Sequence, residues 1–364
     1  MVVAPTAQRL SLQCEGIAAD TTTIRSLDWE RSRFDIEFGL RNGTTYNSFL
    51  VRGERTALID SSHAKFRDSW IPLLKDQVDP ASIDVLIVSH TEPDHSGLIG
   101  DLIDLNPEIE IVGSKVAIQF LQDQVHRPFR SRAVKSGEEL DLGTNPESGV
   151  QHRFEFLSAP NLHWPDTIFS FDHGTGILYT CDAFGLHYCS EELFDSDPGA
   201  IAPDFRFYYD CLMGPNARSV LQALKRMDSL PEINTVAVGH GPLLRHHLSH
   251  WLNDYREWSG QRSKGESYAA VCYLSQYGFS DRISQAIAHG IGKADAQVQL
   301  VDLRATDPQE LTALVGEAKA VVVPTWPEEP DADVQAAIGT LLAALNPKQL
   351  VGDCDAFGGS DGIG

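Results

Sequence analysis

The segment 89–97 constrains the fold and the chemistry of this chain more than any other part of the sequence. Four side chains that bind metals lie within six residues of one another: His90, Glu92, Asp94 and His95. The apolar run 85–89 predicts a short buried strand, and α/β folds carry functional side chains on loops that leave the carboxyl ends of strands. A solvated polar turn would explain a lone histidine, but two histidines beside two carboxylates favour a metal site.

Three further candidate ligands follow predicted strands later in the chain. His163 comes after the strand predicted at 154–158 and Asp182 after the strand predicted at 176–181. His240 follows the strand predicted at 235–239 and precedes Gly241-Pro242. Seven ligands at strand ends are enough for two metal ions that share one bridging ligand.

Strands alternate with helices on both sides of one polar segment. The glycine-containing segment 258–267 predicts a linker, so we expect a first domain at 1–258, a linker at 259–267 and a second domain at 268–364. After the linker, predicted strands at 268–274, 297–303, 320–324 and 349–353 alternate with helices. This alternation predicts an α/β domain with a doubly wound parallel sheet. The last strand is followed only by a glycine-rich loop, so we expect this second domain to be incomplete.

Composition narrows the classes of partner. Acidic residues outnumber basic residues by 51 to 29, and the resulting net charge of −22 disfavours nucleic acids and anionic membranes. The sequence has no apolar run long enough to cross a bilayer and no signal-peptide pattern at its start. We therefore expect a cytoplasmic protein without membrane insertion. The six cysteines form no Cys-x-x-Cys pair, so we expect reduced thiols.

Four motifs in this order resemble the flavodiiron proteins, also called A-type flavoproteins. They are His-x-Glu-x-Asp-His at 90–95, His-Trp-Pro-Asp at 163–166, Cys-Asp-Ala-Phe-Gly at 181–185 and Gly-His-Gly-Pro at 239–242. The sequence is most similar to the cyanobacterial diflavin branch, whose members add a C-terminal flavin reductase domain. The resemblance implies a metallo-β-lactamase-like αββα sandwich followed by a flavodoxin-like FMN-binding sheet.

The resemblance also implies which residues bind two irons in each chain. It places His90, Glu92 and His163 on one iron and Asp94, His95 and His240 on the other, with Asp182 as the bridge. Hydrolytic relatives with this fold bind zinc with a histidine where this chain has Glu92, and a carboxylate is a harder ligand that suits iron. Packing in the core or at the surface is the preferred interpretation for every other histidine, and among these only His63 is considered as a group supporting the ligands.

Three predicted loops resemble the FMN-binding loops of this family. The first runs from a strand into a helix, where hydroxyls, backbone N–H groups and a helix N-terminus suit a phosphate. The second follows the strand at 320–324, where family members place residues beside the flavin ring, and the third follows the last predicted strand. The implied flavin residues are Ser275, Gln276, Tyr277, Gly278, Phe279, Ser280, Thr325, Trp326, Gly358, Gly359 and Ser360.

The family resemblance implies an oxidoreductase that reduces dioxygen to water, with electrons relayed from NAD(P)H through FMN. Nitric oxide, reduced to nitrous oxide, is the rival substrate at the same site. NAD(P)H oxidation and a second flavin are expected only with the C-terminal domain, which is missing from residues 1–364. The resemblance further implies a head-to-tail homodimer, and a hetero-oligomer with a related chain is the other assembly that we consider.

Two other classes of function stay open from the sequence. A zinc-dependent hydrolase shares the expected fold, although Glu92 and the flavodoxin-like half argue against it. An electron-transfer subunit of a hetero-oligomer is the other alternative, and the complete ligand set argues against that.

Overall fold

The computed structural model describes residues 9–34, 38–263, 268–274, 280–293, 296–304, 306, 308–324 and 330–354. Cα proximity divides the chain into two units, which are described separately below. The first comprises Met1–Ala159, Asp166–Asp210 and Gln222–Tyr255, and the second comprises Pro160–Pro165, Cys211–Leu221 and Arg256–Gly364. The domain limits expected from the sequence, 1–258 and 268–364, stay a prediction.

The first unit contains two large sheets. The larger sheet has the strand order β1-β2-β5-β6-β7-β8-β9, antiparallel from β1 to β6 and parallel from β6 to β9. Its strands are β1 (Leu10–Ala18), β2 (Thr21–Asp28), β5 (Thr44–Arg52), β6 (Thr56–Ile59), β7 (Val85–Ile87), β8 (Glu110–Gly113) and β9 (Arg130–Ala133). The strands β3 (Arg33–Phe34) and β4 (Phe38–Gly39) form a separate two-stranded sheet.

The smaller sheet has the order β10-β11-β12-β13-β14, and only its last pair, β13–β14, is parallel. Its strands are β10 (Glu139–Thr144), β11 (Gln151–Ser158), β12 (Ile168–Asp172), β13 (Ile177–Cys181) and β14 (Thr235–Val238). The α-helices up to residue 263 are α1 (Arg67–Gln77), α2 (Pro93–Ser96), α3 (Ile99–Leu105), α4 (Lys115–Val125), α5 (Pro198–Tyr208), α6 (Ala217–Met227) and α7 (Leu248–Ser263).

Alternation along β5 explains why the two sheets pack face to face. Successive side chains of a strand point to opposite faces. Tyr46 belongs to a buried apolar cluster that includes Trp70 of α1 and Leu121 of α4. Phe49 instead packs edge-on against Tyr179 of the smaller sheet, with ring centroids 5.1 Å apart. The first unit therefore has helices outside and two sheets inside, as the expected αββα sandwich requires.

The second unit is built on a parallel sheet with the order β16-β15-β17-β18. Its elements are β15 (Tyr268–Tyr273), α8 (Ser280–Lys293), β16 (Gln297–Asp302), α9 (Pro308–Glu317), β17 (Ala320–Pro324), α10 (Ala332–Ala344) and β18 (Leu350–Cys354). Val271 and Tyr273 pack with Ala288 of α8, whereas Ala270 and Cys272 pack with residues of α9 and α10. Helices therefore cover both faces of the sheet, as the strand–helix alternation predicts.

One local prediction differs from the structure. Residues 259–263, expected to begin a linker, form the end of helix α7. Trp251, Tyr255 and Ser259 are fully buried at a spacing of four residues, so one face of the helix continues past residue 258. The polar residues between these buried positions lie on the opposite face, and their composition resembles that of a linker. Residues 264–267 lie outside the described part of the chain.

The described residues also bear on membrane insertion and on disulfides, two expectations drawn from the composition. Among the described residues, no helix combines the length and the apolar character needed to span a bilayer. No disulfide joins the cysteines whose side chains the structure describes.

A buried histidine ties the strands of the first unit together away from the predicted ligands. His152 of β11 lies with Nδ1 2.8 Å from Asp172 Oδ2 of β12 and Nε2 3.4 Å from Asp20 Oδ2 in the turn after β1. Burial opposes protonation of His152, but the two carboxylates outweigh it and raise the pKa of the imidazole. The contact thus joins three separate parts of the chain through one imidazole ring.

We expect His152→Gln to lower the free energy of unfolding by about 1–3 kcal/mol, the usual value for losing a hydrogen bond to a charged group. Because the folded pKa is raised, the contribution of His152 is fully present below its unfolded pKa of about 6.5 and is lost as the pH rises through the higher folded pKa. The difference between the two proteins in urea unfolding should therefore shrink as the pH is raised. His173→Gln, at a half-buried histidine paired with Glu155, is the control; an equal loss there would contradict the prediction.

Candidate metal centre

The loop after β7 places the first group of predicted ligands. Pro93 begins the short helix α2 with Glu92 just before it, and the loop is anchored because both N and Oγ of Ser61 donate to His95 O at 2.7 and 2.6 Å. Gly97 ends this turn, and its Cα lies close to the backbone of Pro93, since a Cβ on Gly97 would lie 2.4 Å from Pro93 O. The sequence therefore needs glycine at this position, as expected for a sharp entry into the next helix.

Asp94, His95 and His240 form one buried cluster in the first unit. The Nε2 atoms of His95 and His240 lie 3.2 Å apart. Asp94 reaches both rings, with Oδ1 3.5 Å from His95 Nε2 and Oδ2 3.4 Å from His240 Nε2. Residues 146 positions apart in the chain thus meet because the loop after β7 and the end of β14 lie at the same edge of the sandwich.

Asp182 joins this cluster to a second one. Its Oδ1 lies 2.9 Å from His95 Nε2 and 3.2 Å from His240 Nε2. Its Oδ2 lies 3.5 Å from His90 Nε2, which in turn is 3.5 Å from Glu92 Oε2. The two oxygens of one fully buried carboxylate therefore face two different groups of potential ligands, as a ligand that bridges two metals must.

His163 has a different position in the structure. It belongs to the segment Pro160–Pro165, which groups with the second unit, and its imidazole is buried. Its Nδ1 lies 3.1 Å from Nε2 of Gln285 in α8. Its place as an iron ligand stays a prediction.

The spacing of the ligand atoms fits a metal. Bonds of about 2.0–2.2 Å to nitrogen and oxygen bring neighbouring ligands to roughly 3–3.5 Å from one another, and the distances around Asp182 are 2.9–3.5 Å. Without a cation, these carboxylates need protonated imidazoles between them. Burial opposes that protonation at His240, but hydrogen-bond contacts with Asp182 and Asp94 raise its pKa to about 10. A metal ion supplies the same positive charge, and a set of imidazoles and carboxylates suits iron.

Contacts outside the clusters orient the rings. His90 Nδ1 lies 3.0 Å from Asp166 Oδ1, and Thr91 donates to Asp166 Oδ2 from its backbone N at 2.7 Å and its hydroxyl at 2.6 Å. His240 Nδ1 lies 2.6 Å from the carbonyl oxygen of Thr45 and donates to it. A proton held at Nδ1 leaves Nε2 free to accept a metal. Sequence reasoning assigned no role to Asp166, although it closes the His-Trp-Pro-Asp motif.

Two histidines outside the predicted ligand set lie near His240. His63, considered from the sequence as a supporting group, accepts from Lys65 N at 3.1 Å, and its ring packs against Tyr46, which in turn packs against His240. It is thus one ring removed from a predicted ligand. His187 was expected to be a packing residue, but its ring centroid lies 4.6 Å from that of His240.

Most of the predicted flavin residues lie outside the described part of the chain, namely Ser275, Gln276, Tyr277, Gly278, Phe279, Thr325, Trp326, Gly358, Gly359 and Ser360. Ser280 is described: it begins α8, and its hydroxyl donates to Leu274 O. The three predicted loops follow β15, β17 and β18, which are parallel neighbours. Their carboxyl ends therefore lie at one edge of the sheet, where such folds bind ligands.

Comparison with known proteins agrees with this architecture. A family model described as "ODP family beta lactamase" matches residues 44–241. Diflavin flavoprotein A 1 of Synechocystis sp. is 56% identical over 98% of this chain and 61% of its own length. The metal-soaked Flv1 flavodiiron core from the same genus is 31% identical, with a TM-score of 0.82 over 96% of this chain and 87% of that chain. The rubredoxin oxygen:oxidoreductase of Desulfovibrio gigas, 23% identical over 96% of this chain and 86% of that chain with a TM-score of 0.63, shares the fold.

The fold and the buried ligand clusters define a metallo-β-lactamase-like core with a candidate metal centre, joined to a flavodoxin-like sheet, and the predicted fold class is confirmed. The chain belongs to the flavodiiron proteins, in the branch of the cyanobacterial diflavin flavoproteins. Membership of this family implies a di-iron site and FMN. The chain spans about 60% of the length of the curated relatives it matches.

We expect Gly239→Ala to disturb iron binding without unfolding the protein. A Cβ at this position would lie 2.7 Å from His95 Cε1 and 3.2 Å from Cys181 Sγ, so the His95 ring must move. Elemental analysis after iron loading should show less iron per chain than in the parent protein. Gly339→Ala in α10, where a Cβ meets nothing within 4 Å, should keep the full content; equal iron content in both variants would refute the steric argument.

Asp166→Asn should weaken iron binding about 10- to 100-fold, the usual effect of removing a group that orients a ligand. The amide keeps the shape of the side chain but loses the charge that holds the His90 ring. Competition with a chelator measures the change. Asp172→Asn is the matched control, because it alters a buried His–Asp pair that lies apart from the clusters. An unchanged iron affinity in Asp166→Asn would show that Thr91 and burial alone orient His90.

Proposed function

We propose that this chain reduces dioxygen to water at a di-iron site, with electrons from NAD(P)H relayed through FMN. The observation that carries the proposal is the arrangement of Asp182, whose two oxygens face two separate buried groups of imidazoles and carboxylates. A binuclear site built from hard ligands is suited to redox chemistry on a small molecule. The printed name of the Desulfovibrio gigas relative, an oxygen:oxidoreductase, supports dioxygen as the substrate.

The proposed ligands are those expected from the sequence. His90, Glu92 and His163 hold one iron, Asp94, His95 and His240 hold the other, and Asp182 bridges them. When bound, the irons and FMN supply the electron transfer and the open coordination positions that the protein itself lacks. The flavin loops at 275–280, 325–326 and 358–360 are proposed to hold FMN.

The chain's own residues prepare the site for this chemistry. Asp166 and the Thr45 carbonyl oxygen hold the Nδ1 protons of His90 and His240, which keeps both Nε2 atoms available to iron. Glu92, Asp94 and Asp182 supply three negative charges that balance the irons, and all three are buried. Burial excludes bulk water and strengthens every charge interaction in the site.

Assembly is part of the proposal. FMN must lie close to iron for electrons to pass, and we propose that a head-to-tail dimer, or a hetero-oligomer with a related chain, achieves this. Light scattering of the fully active protein measures the assembly, and a strictly monomeric active protein would refute this part.

The ligand assignment predicts two irons per chain. Asp182→Ala should release both irons because the bridge touches both groups, whereas His163→Ala should loosen mainly one. Elemental analysis of protein made with ample iron checks these outcomes, with His152→Gln as a buried histidine variant that should retain both. Stoichiometric zinc in the parent protein would instead favour the hydrolase alternative.

The substrate is tested separately from the metal. Iron- and FMN-loaded protein, supplied with chemically reduced flavin, should consume dioxygen in an oxygen electrode faster than the Asp182→Ala variant. A parallel measurement with nitric oxide compares the two oxidants. Faster consumption of nitric oxide than of dioxygen would replace the proposed substrate while leaving the site unchanged.

A further inference from the structure

His187 is a buried histidine beside a proposed iron ligand, and it has no place in the proposed ligand set. It follows Asp182 by five residues, after a turn in which Leu186 N donates to His240 O at 3.3 Å. Its ring packs against three others, with centroids 4.2 Å from Phe34, 4.6 Å from His240 and 4.9 Å from Tyr208. The ring is therefore held firmly beside a proposed iron ligand.

The contacts of His187 favour one of its two tautomers. Nδ1 lies 2.8 Å from the hydroxyl oxygen of Thr44. That hydroxyl has one proton, and its other polar neighbours are farther away, Thr45 O at 3.3 Å and His240 Nδ1 at 3.4 Å. The shorter contact favours donation from Thr44 to Nδ1, which places the imidazole proton on Nε2.

The Nε2 atom of His187 is fully buried and has no hydrogen-bond partner among the described residues. Tyr208, whose ring packs against that of His187, also has a buried hydroxyl without a partner in the described part of the chain. An unsatisfied buried donor costs about 1–3 kcal/mol, and such groups in native proteins call for an acceptor that the chain itself does not supply. Two such donors next to His240 indicate that the acceptor is a small ligand of the metal centre.

We propose that His187 is a hydrogen-bond donor, through Nε2–H, to the small ligand that binds at the metal centre, and that Thr44 is the positioning residue that sets its tautomer. The inference rests on the proposed function for the identity of the natural ligand as a small oxidant. A donor at this point favours ligands that gain negative charge, because a fixed N–H in a buried site stabilises that charge without reorganisation. The rings of Phe34 and Tyr208 pack against His187 and hold its imidazole in place.

The tautomer is tested first, in metal-free protein labelled with ¹⁵N-histidine. The His187 signals, assigned by their loss in His187→Gln, should show a protonated Nε2 and an unprotonated Nδ1. Thr44→Val should remove this preference. A protonated Nδ1 in the parent protein would overturn the proposal whatever the iron content.

The donor itself is tested with azide, a small anion that serves as a probe of the iron-loaded protein. His187→Leu should keep the full iron content but bind azide about tenfold more weakly or worse, and the infrared stretching band of azide should shift. His187→Gln, which retains an N–H donor, should recover part of the affinity, and His152→Gln should match the parent. Tyr208→Phe reports the contribution of the neighbouring hydroxyl.

The outcomes separate this inference from the proposed function. An unchanged azide affinity and band in His187→Leu would refute the donor role, and loss of iron in that variant would show that His187 acts only by supporting His240. If the parent protein bound no iron, the proposed function would fail, while the tautomer measurement in metal-free protein would still decide the geometry of His187 and Thr44.

Discussion

The first unit depends on one interaction, the buried contact of the Asp182 carboxylate with imidazoles on both of its sides. A carboxylate without compensation at this depth would cost several kcal/mol, so the chain must bring positive charge to both oxygens. That requirement brings the loop after β7, the end of β13 and the end of β14 to the same edge of the sandwich. The close approach at Gly239, which lies against His95 and Cys181, follows from the same requirement.

Around this contact, the protein controls which ring atom of each histidine carries the proton. Asp166 holds His90, the Thr45 carbonyl oxygen holds His240, and the Thr44 hydroxyl holds His187. Two of these three partners are adjacent residues at the start of β5. The first two residues of β5, in the larger sheet, therefore orient one histidine that follows β14 of the smaller sheet and one that follows β13. The packing of the two sheets against each other therefore also sets the geometry of the site.

The second unit follows simpler rules. Each strand of a doubly wound parallel sheet is covered on both faces, so its sequence is a nearly continuous apolar run, and the run at β15 was recognisable for that reason. The helix at 248–263 was harder to predict from the sequence, because a helix with one buried residue every four positions also contains many polar residues. The polar residues alone predict a linker. The buried positions of Trp251, Tyr255 and Ser259 show the helical period.

The sequence by itself predicted the alternation of strands and helices after residue 268, the candidate ligands and the family, because periodicity and motif spacing are local properties of the chain. Six of the seven predicted ligands, all but His163, lie within the clusters of the first unit. Only the tertiary structure decided the contact of Asp166 with His90, the contact of Thr44 with His187 and the two-sided contact of Asp182. Those properties depend on distances between residues that lie far apart in sequence, such as Thr44 and His187, and no local pattern encodes such a distance. The packing of two sheets creates it.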